Sequence, residues 1–453
     1  MQRYHLIGIG GIGMSALARI LVQQGFEVQG SDQKESFLIG ELRQEGISVQ
    51  IGHTKEALGS AAVVVYSSDI RDNNVERMEA ERLGLPLLHR SELLDICMRG
   101  KKPLLVTGTH GKTTTSSLLA HLLIEANFDP AFVVGGIPLG LGTNGRWGLG
   151  EYFVAEADES DGSFLKTPAF GAIVTNLEND HLCYWKQPEV LDRAFSVFFS
   201  QVECPRHLFW CADDVRLNSL RPPGASYGFS ETADWKLSGY VQMEEGLCFD
   251  LSFGAVCYPS LQVSLFGRHN ALNAAAAFAL ALSLGAEEAA LRQALISFAG
   301  VKRRLEWKKK VGTIELFDDY GHHPTEIAAT LSALRAKIGD KRLVVIFQPH
   351  RYSRVQELMD LFCECFDQAD LVVMTDIYAA GERPVEGILD LLQQKMKARL
   401  GTKLTYFPRE KLEEAAAGLL SRFDVVLTIG AGDVTHSGEG ILNKAGVCLP
   451  IGP

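Results

Sequence analysis

The stretch Leu105–Thr115, LVTGTHGKTTT, runs from an apolar strand-like segment through two glycines into a helix-forming segment. Such a junction leaves the first N–H groups of the helix free and turns them toward an anion. Gly108 and Gly111 leave room for a phosphate, with Thr109 and His110 between them. Lys112 offers a cation to the outer phosphates, Thr113 a hydroxyl for Mg²⁺, and Thr114 continues the helix start. The usual form of this loop is G-x-x-x-x-G-K-[ST], and its first glycine is replaced by Val106. The loop is therefore shorter than in common GTPases and kinases. A strand that feeds a helix in this way belongs to a parallel α/β layer.

A second loop of related type opens the chain: GIGGIGMS, Gly8–Ser15. Gly8, Gly10 and Gly13 give G-x-G-x-x-G, with Gly11 inside it, and Asp32 closes the following strand at the offset of a ribose contact. Read alone, this pattern suits NAD, FAD or any other diphosphate, such as a UDP-sugar. An NAD-dependent oxidoreductase is thus one alternative, but it leaves the Lys112 loop without a purpose.

The 453 residues suit roughly three domains of about 150. Strand-like runs at 4–9, 27–31, 62–67 and 85–89 alternate with helical periodicity, and MRGKKP (98–103) reads as a linker. A second block has strands at 104–108, 152–157 and 172–176. It ends in a turn-rich stretch from Asp234 that suits antiparallel hairpins, then an alanine-rich helix over 269–285. A third block repeats strand–helix alternation, with strands at 313–317, 343–347, 371–375 and 425–429 and a helix opening at Pro324. The expected fold is α/β in three domains: 1–100 Rossmann-like, 101–301 a P-loop ATPase-type α/β domain with antiparallel hairpins, and 302–453 Rossmann-like.

A net charge of −11 argues against a nucleic-acid binder, which would present a basic face. The nine cysteines are scattered without C-x-x-C pairs, as in a reduced, cytoplasmic protein. The N-terminal apolar run is too short for a signal peptide, and no run reaches the ~18 apolar residues of a membrane span.

Polar clusters follow the strands of the second and third blocks. VAEADESDGS places Glu156, Asp158, Glu159 and Asp161 at a strand end, and VTNLENDHL places Glu178, Asp180 and His181 at another. Ligands of open α/β sheets bind beyond such ends, so Glu156 is the first candidate metal ligand and His181 a candidate for a second metal. FDDYGHHPTE carries Tyr320 and His322, and FQPHRYSR carries Arg351 and Arg354, residues suited to bidentate recognition of carboxylate or phosphate.

With GRHNALNAAAA, these motifs in this order resemble the Mur ligases of peptidoglycan synthesis, and the resemblance covers nearly the whole chain. It implies a Mg²⁺-dependent ligase that joins L-alanine to the carboxylate of UDP-N-acetylmuramate through an acyl phosphate, with ATP as co-substrate. It also implies roles. Gly8, Gly10, Gly11, Gly13 and Asp32 would seat the UDP-sugar. Residues 108–114, Asn270, Asn273 and Arg304 would seat ATP, and Thr113, Glu156 and His181 the metal. Tyr320, His322, Arg351 and Arg354 would receive the amino acid, and Lys112, His181, Arg351 and Arg354 would carry the chemistry. A sister ligase adding a peptide is the nearer alternative. Because some members are fused to a downstream ligase, fusion to or association with other cell-wall ligases is a further partner expectation.

Overall fold

The computed structural model describes residues 2–179 and 182–448. Three sheets organise it. The first is entirely parallel: β1 (Arg3–Ile7), β2 (Glu27–Asp32), β3 (Ser48–Ile51), β4 (Val63–Tyr66) and β5 (Leu87–His89), in the order β3-β2-β1-β4-β5. The order reverses at β1, so the GIGGIG loop leaves the sheet at the switch point where open α/β sheets take ligands.

The second sheet has ten strands: β6 (Lys102–Thr107), β7 (Ala131–Val133), β8 (Gly145–Arg146), β9 (Tyr152–Glu156), β10 (Gly171–Val174), β11 (Leu208–Cys211), β12 (Ala225–Gly228), β13 (Trp235–Met243), β14 (Gly246–Phe253) and β15 (Val256–Val263). Their order is β15-β14-β13-β12-β11-β10-β6-β9-β7-β8. The phosphate-loop strand β6 lies centrally, parallel to β9 and β10. Glu244–Glu245 and Gly254–Ala255 are two-residue connections, which make β13–β14 and β14–β15 the expected antiparallel hairpins.

The third sheet is β16 (Glu306–Val311), β17 (Ile314–Asp319), β18 (Leu343–Phe347), β19 (Leu371–Met374), β20 (Leu404–Tyr406) and β21 (Val425–Ile429), ordered β16-β17-β21-β18-β19-β20. Only β16 runs antiparallel, as an edge hairpin with β17. Both faces of this sheet are covered. Phe317, Val345, Phe347 and Leu427 point into one core and Leu316, Val344, Ile346 and Val426 into the other. That explains why β18 reads as a continuous apolar run and β21 nearly so.

The segment 98–103 is not a linker throughout: Met98 ends the helix Arg90–Met98 and Lys102 already pairs with Tyr152 in β6. The chain forms two compact units, one of Met1–Gly239, Phe249–Val263 and Leu272–Ala299, the other of Tyr240–Cys248, Ser264–Ala271 and Gly300–Pro453. No helix among the described residues is long and apolar enough to cross a membrane.

Two glycines of the first sheet region separate close approach from simple tolerance. A Cβ on Gly30 in β2 would lie 2.5 Å from the carbonyl oxygen of Leu6 and 2.7 Å from the Ile9 side chain. A Cβ on Gly40, inside the helix Phe37–Gln44, would meet nothing within 4 Å. Gly30→Ala is expected to cost about 1–3 kcal/mol through overpacking, whereas Gly40→Ala should stabilise by about 0.5–1 kcal/mol through helix propensity. Urea unfolding of both variants checks this; equal effects would contradict the packing of β2 on β1.

Candidate active site

The phosphate loop is held from below by the end of β10. Thr175 Oγ1 donates to the carbonyls of His110 (2.6 Å) and Thr107 (3.2 Å). The Asn176 side chain accepts from His110 N (2.8 Å) and donates to His110 O (3.0 Å), while its backbone carbonyl accepts from Thr109 N (3.1 Å). Glu178 N donates to Thr109 Oγ1 at 2.8 Å. Gly108 stands at φ +121°, and a Cβ there would lie 2.3 Å from Thr175 Oγ1 and 2.7 Å from Asn176 O. Only glycine fits. Gly111 caps the helix Lys112–Glu125 in the left-handed region at φ +82°.

Lys112 is tucked back under this loop. Its Nζ donates to the carbonyls of Gly108 (2.6 Å) and Thr109 (3.2 Å) and to both carboxylate oxygens of Glu159 (3.0 and 2.8 Å). Glu159 is 2% exposed. Burial disfavours the Lys112 ammonium, but Glu159, Asp158 and Glu156 outweigh it and hold its pKa above the ordinary value. Trp185 Nε1 donates to the Glu159 carbonyl at 3.0 Å and pins the acidic loop in place. Sequence reasoning placed Glu159 in the strand-end cluster but gave it no part; the structure makes it the partner of the loop lysine.

Glu156 ends β9 beside β6 and gathers oxygen and N–H donors. Thr113 Oγ1 and Ser116 Oγ each donate to it at 3.2 Å, and Gly135 N at 2.5 Å. Asn273, on the helix Arg268–Ser283, faces the loop: a Cβ on Gly111 would lie 3.0 Å from its Oδ1. Asn270, one turn earlier on that helix, donates instead to Phe266 O at 2.8 Å. Asp180 and His181 lie outside the described residues, so the candidate second-metal ligand has no structural account.

At the first loop, Gly8 takes φ +79° and Gly11 caps the helix Ile12–Gln23. Asp32 Oδ2 accepts from Gly10 N at 2.9 Å, so its carboxylate braces the loop itself. Near Gly13, Arg90 donates to Asp158 Oδ2 (3.3 Å).

The third sheet collects its polar residues at the ends of β17, β18, β19 and β21. Arg303 Nη2 donates to the carbonyls of Gly430 (2.6 Å) and Gly432 (3.1 Å). Its guanidinium carbon lies 4.8 Å from the Tyr320 ring centroid, and that of Arg304 5.3 Å. Tyr320 meets His322 edge-on at 5.5 Å, His322 meets His350 at 5.6 Å, and His350 stacks on Tyr378 at 5.7 Å. Arg354 Nη1 is 3.2 Å from His350 Nδ1. Arg351 caps its helix at φ +66°, with its N–H held by Tyr378 O at 2.9 Å. Tyr378 went unnoticed in the sequence because no motif marks it; only the fold brings the end of β19 against His350.

The three segments match family models in order: "Mur ligase family, catalytic domain" over residues 3–102, "Mur ligase middle domain" over 106–281 and "Mur ligase, glutamate ligase domain" over 303–432. A curated UDP-N-acetylmuramate–L-alanine ligase of Protochlamydia amoebophila is 48% identical over 434 residues, covering 95% of this chain and 96% of the relative. The chain belongs to the Mur ligase family. A UDP-N-acetylmuramate–L-alanine ligase of Anaeromyxobacter sp. is 42% identical over 97% of both chains. Among solved structures, the UDP-N-acetylmuramate-alanine ligase of Thermotoga maritima superposes with a TM-score of 0.87 at 28% identity, covering 99% of this chain and 100% of that one. A murein peptide ligase of Psychrobacter arcticus, at 23% identity and TM-score 0.75, shares the fold. The chain is thus an ATP-dependent Mur ligase built on three α/β sheets.

In this Mur ligase Lys112, the candidate phosphate ligand, is engaged by Glu159. Glu159→Gln should therefore tighten ATP binding several-fold, because the phosphate no longer displaces a carboxylate; weaker ATP binding, measured by calorimetry, would count against the pair as a competitor.

A pH dependence follows from the histidines. Burial pushes His322 down to about 4, with Arg354 adding to it, and His350 down to about 3, with His322, Arg354 and Arg351 adding to it. Both are neutral in the fold. Their stabilising contribution is full above the ordinary value of 6.5 and is lost as pH falls toward about 3. Asp319 opposes them: burial raises it to about 6, so its contribution is lost as pH rises from 3.8 through about 6. The two imidazoles carry the larger combined shift, so the thermal midpoint should drop between pH 6.5 and 4, and His322→Gln with His350→Gln should flatten the drop. An unchanged slope in the double variant would exclude these histidines as its cause.

Proposed function

We propose that this Mur ligase joins L-alanine to the carboxylate of UDP-N-acetylmuramate at the expense of ATP, in the cytoplasm, as a step of peptidoglycan precursor synthesis. The observation that carries this reading is the pairing, in one compact unit, of a diphosphate-type loop at Gly8–Gly13 with a Lys112 phosphate loop. It is supported by near-full-length likeness to proteins of that name. Residues 1–100 hold the UDP-sugar, 101–301 bind ATP, and 302–453 bring in the amino acid.

A carboxylate does not undergo attack by an amine, because oxide would have to leave. Transfer of the γ-phosphoryl group to a carboxylate oxygen gives an acyl phosphate and ADP. The alanine amine then attacks the acyl carbon, and phosphate leaves with the former carboxylate oxygen while the nitrogen gives up a proton. Most of the catalysis is charge neutralisation and alignment. In this reading Lys112 leaves Glu159 and neutralises the outer phosphates, and the loop N–H groups from Gly108 to Thr114 cradle them. Asn273 and Asn270 offer amide donors and acceptors that match an adenine edge, and Arg304 is a further candidate for ATP.

Thr113, Ser116 and Glu156 form an oxygen-rich set beside the loop, which fits a hard cation such as Mg²⁺. When bound there, Mg²⁺ supplies charge neutralisation on the phosphates. Thr113 and Glu156 would hold it, with His181 proposed for a second ion. Tyr320, His322, Arg351 and Arg354 receive the amino acid, the two arginines facing its carboxylate.

Phosphate release with ATP, Mg²⁺ and UDP-N-acetylmuramate, scored against L-alanine, glycine, L-serine and a tripeptide, tests the reading. Release that depends on L-alanine is expected; release driven by the tripeptide reassigns the chain to a peptide-adding ligase, and tight NAD binding with no response to the UDP-sugar overturns it. Arg351→Ala should raise the KM for alanine by about 10-fold or more, as loss of a charge-assisted contact does, with the KM for ATP little changed. The reverse order would misplace the amino-acid site.

A further inference from the structure

Between the two loops lies a buried polar joint centred on Asn144 and Arg19, which lie outside both loop motifs. Asn144 is fully buried, in the segment that joins β7 to β8. Its Oδ1 accepts from Arg19 Nη1 at 2.5 Å, and its Nδ2 donates to Ile12 O (2.5 Å) and Ser15 Oγ (3.0 Å). Ile12, Ser15 and Arg19 all lie on the helix that follows the Gly8–Gly13 loop. Arg19 is 3% exposed and is itself fixed by Glu45, through both carboxylate oxygens at 2.9 Å, and by Glu41 at 3.0 Å.

The other end of the same segment reaches the phosphate site. Val134 N bonds Asn144 O (2.9 Å), Val133 pairs with Gly145, and the next residue, Gly135, donates its N–H to Glu156 Oε1 at 2.5 Å. Gly145 also presses on the helix: a Cβ there would lie 2.6 Å from Ala16 O. A buried arginine and a buried amide cost free energy unless every donor and acceptor is met, and apolar residues of equal volume would stabilise at least as well. What such a set supplies instead is a fixed geometry.

We propose that Asn144 and Arg19 are positioning residues that fix the UDP-sugar helix against Glu156 and the phosphate loop, so that the sugar's carboxylate is presented in line with the γ-phosphate. The role rests on the ligase reading given above. It acts through alignment: neither residue needs to touch a substrate, and each substrate alone binds without help from the joint. Misplacing two reactants by about 1 Å costs on the order of 100-fold in rate.

The test uses the full-length protein and the variants Asn144→Ala and Arg19→Lys. Calorimetry gives the Kd of ATP alone and of UDP-N-acetylmuramate alone, and alanine-dependent phosphate release gives kcat. For Asn144→Ala, both Kd values should stay within about threefold while kcat falls about 10–100-fold. Arg19→Lys, which keeps a cation facing Glu45, should fall less. An unchanged kcat would overturn the proposal. So would Kd values that rise in step with the fall in kcat, since that marks a binding or folding role. Should Asn144→Ala fail to fold, Arg19→Lys decides on the same criteria. Absence of alanine-dependent release in the unaltered protein would sink the ligase reading instead, and is seen without any variant.

Discussion

The central domain is arranged around one buried ammonium. Lys112 sits at the start of a helix, under a loop of carbonyls, with little solvent to carry its charge. Burial there is tolerable only with a carboxylate in contact, and Glu159 supplies both oxygens. That requirement folds the acidic segment after β9 back over the loop and sets Trp185 on its carbonyl. It also leaves Glu156 to Thr113, Ser116 and Gly135. The loop and the acids are thus one hydrogen-bonded network. In the proposed reading, a nucleotide phosphate takes the place of the Glu159 carboxylate at Lys112.

The same logic extends to the amino-terminal sheet. Asp32 braces Gly10, Arg90 binds Asp158, and Arg19 with Asn144 joins the first helix to the β7–β8 segment. Each is a charged or amide group satisfied across a long sequence separation. The two loops, far apart in the sequence, are tied through side chains at the carboxyl ends of their sheets, where α/β folds place ligands. The third sheet repeats the placement, with Tyr320, His322, His350 and Tyr378 in a chain of ring contacts and two arginines beside them.

Much of this was legible in the sequence, and the reason differs by element. β18 is buried on both faces and reads as an unbroken apolar run, and β21 is broken only by Thr428. The phosphate loop needs Gly108 because of Thr175, and that need is written as a glycine. β3 escaped notice because only Val49 of its four residues is buried, so no periodicity shows. β7 and β8 are too short to signal. Nothing in the sequence marks Arg19, because its partners are 22 to 125 residues away. Glu159 was visible as one acid among four, and its choice as the partner of Lys112 depends on the path of the loop. Pairwise polar contacts between distant segments carry no local pattern, and these are the contacts that define the site.

The central claim is that the carboxylate held by the first loop receives the phosphoryl group held by the second. UDP-N-acetylmuramate labelled with ¹⁸O in its carboxylate tests this most directly, with mass analysis of the phosphate released during turnover with ATP and L-alanine. The account predicts a single labelled oxygen carried from the sugar into each phosphate. Phosphate free of label, with amide still formed, would contradict it.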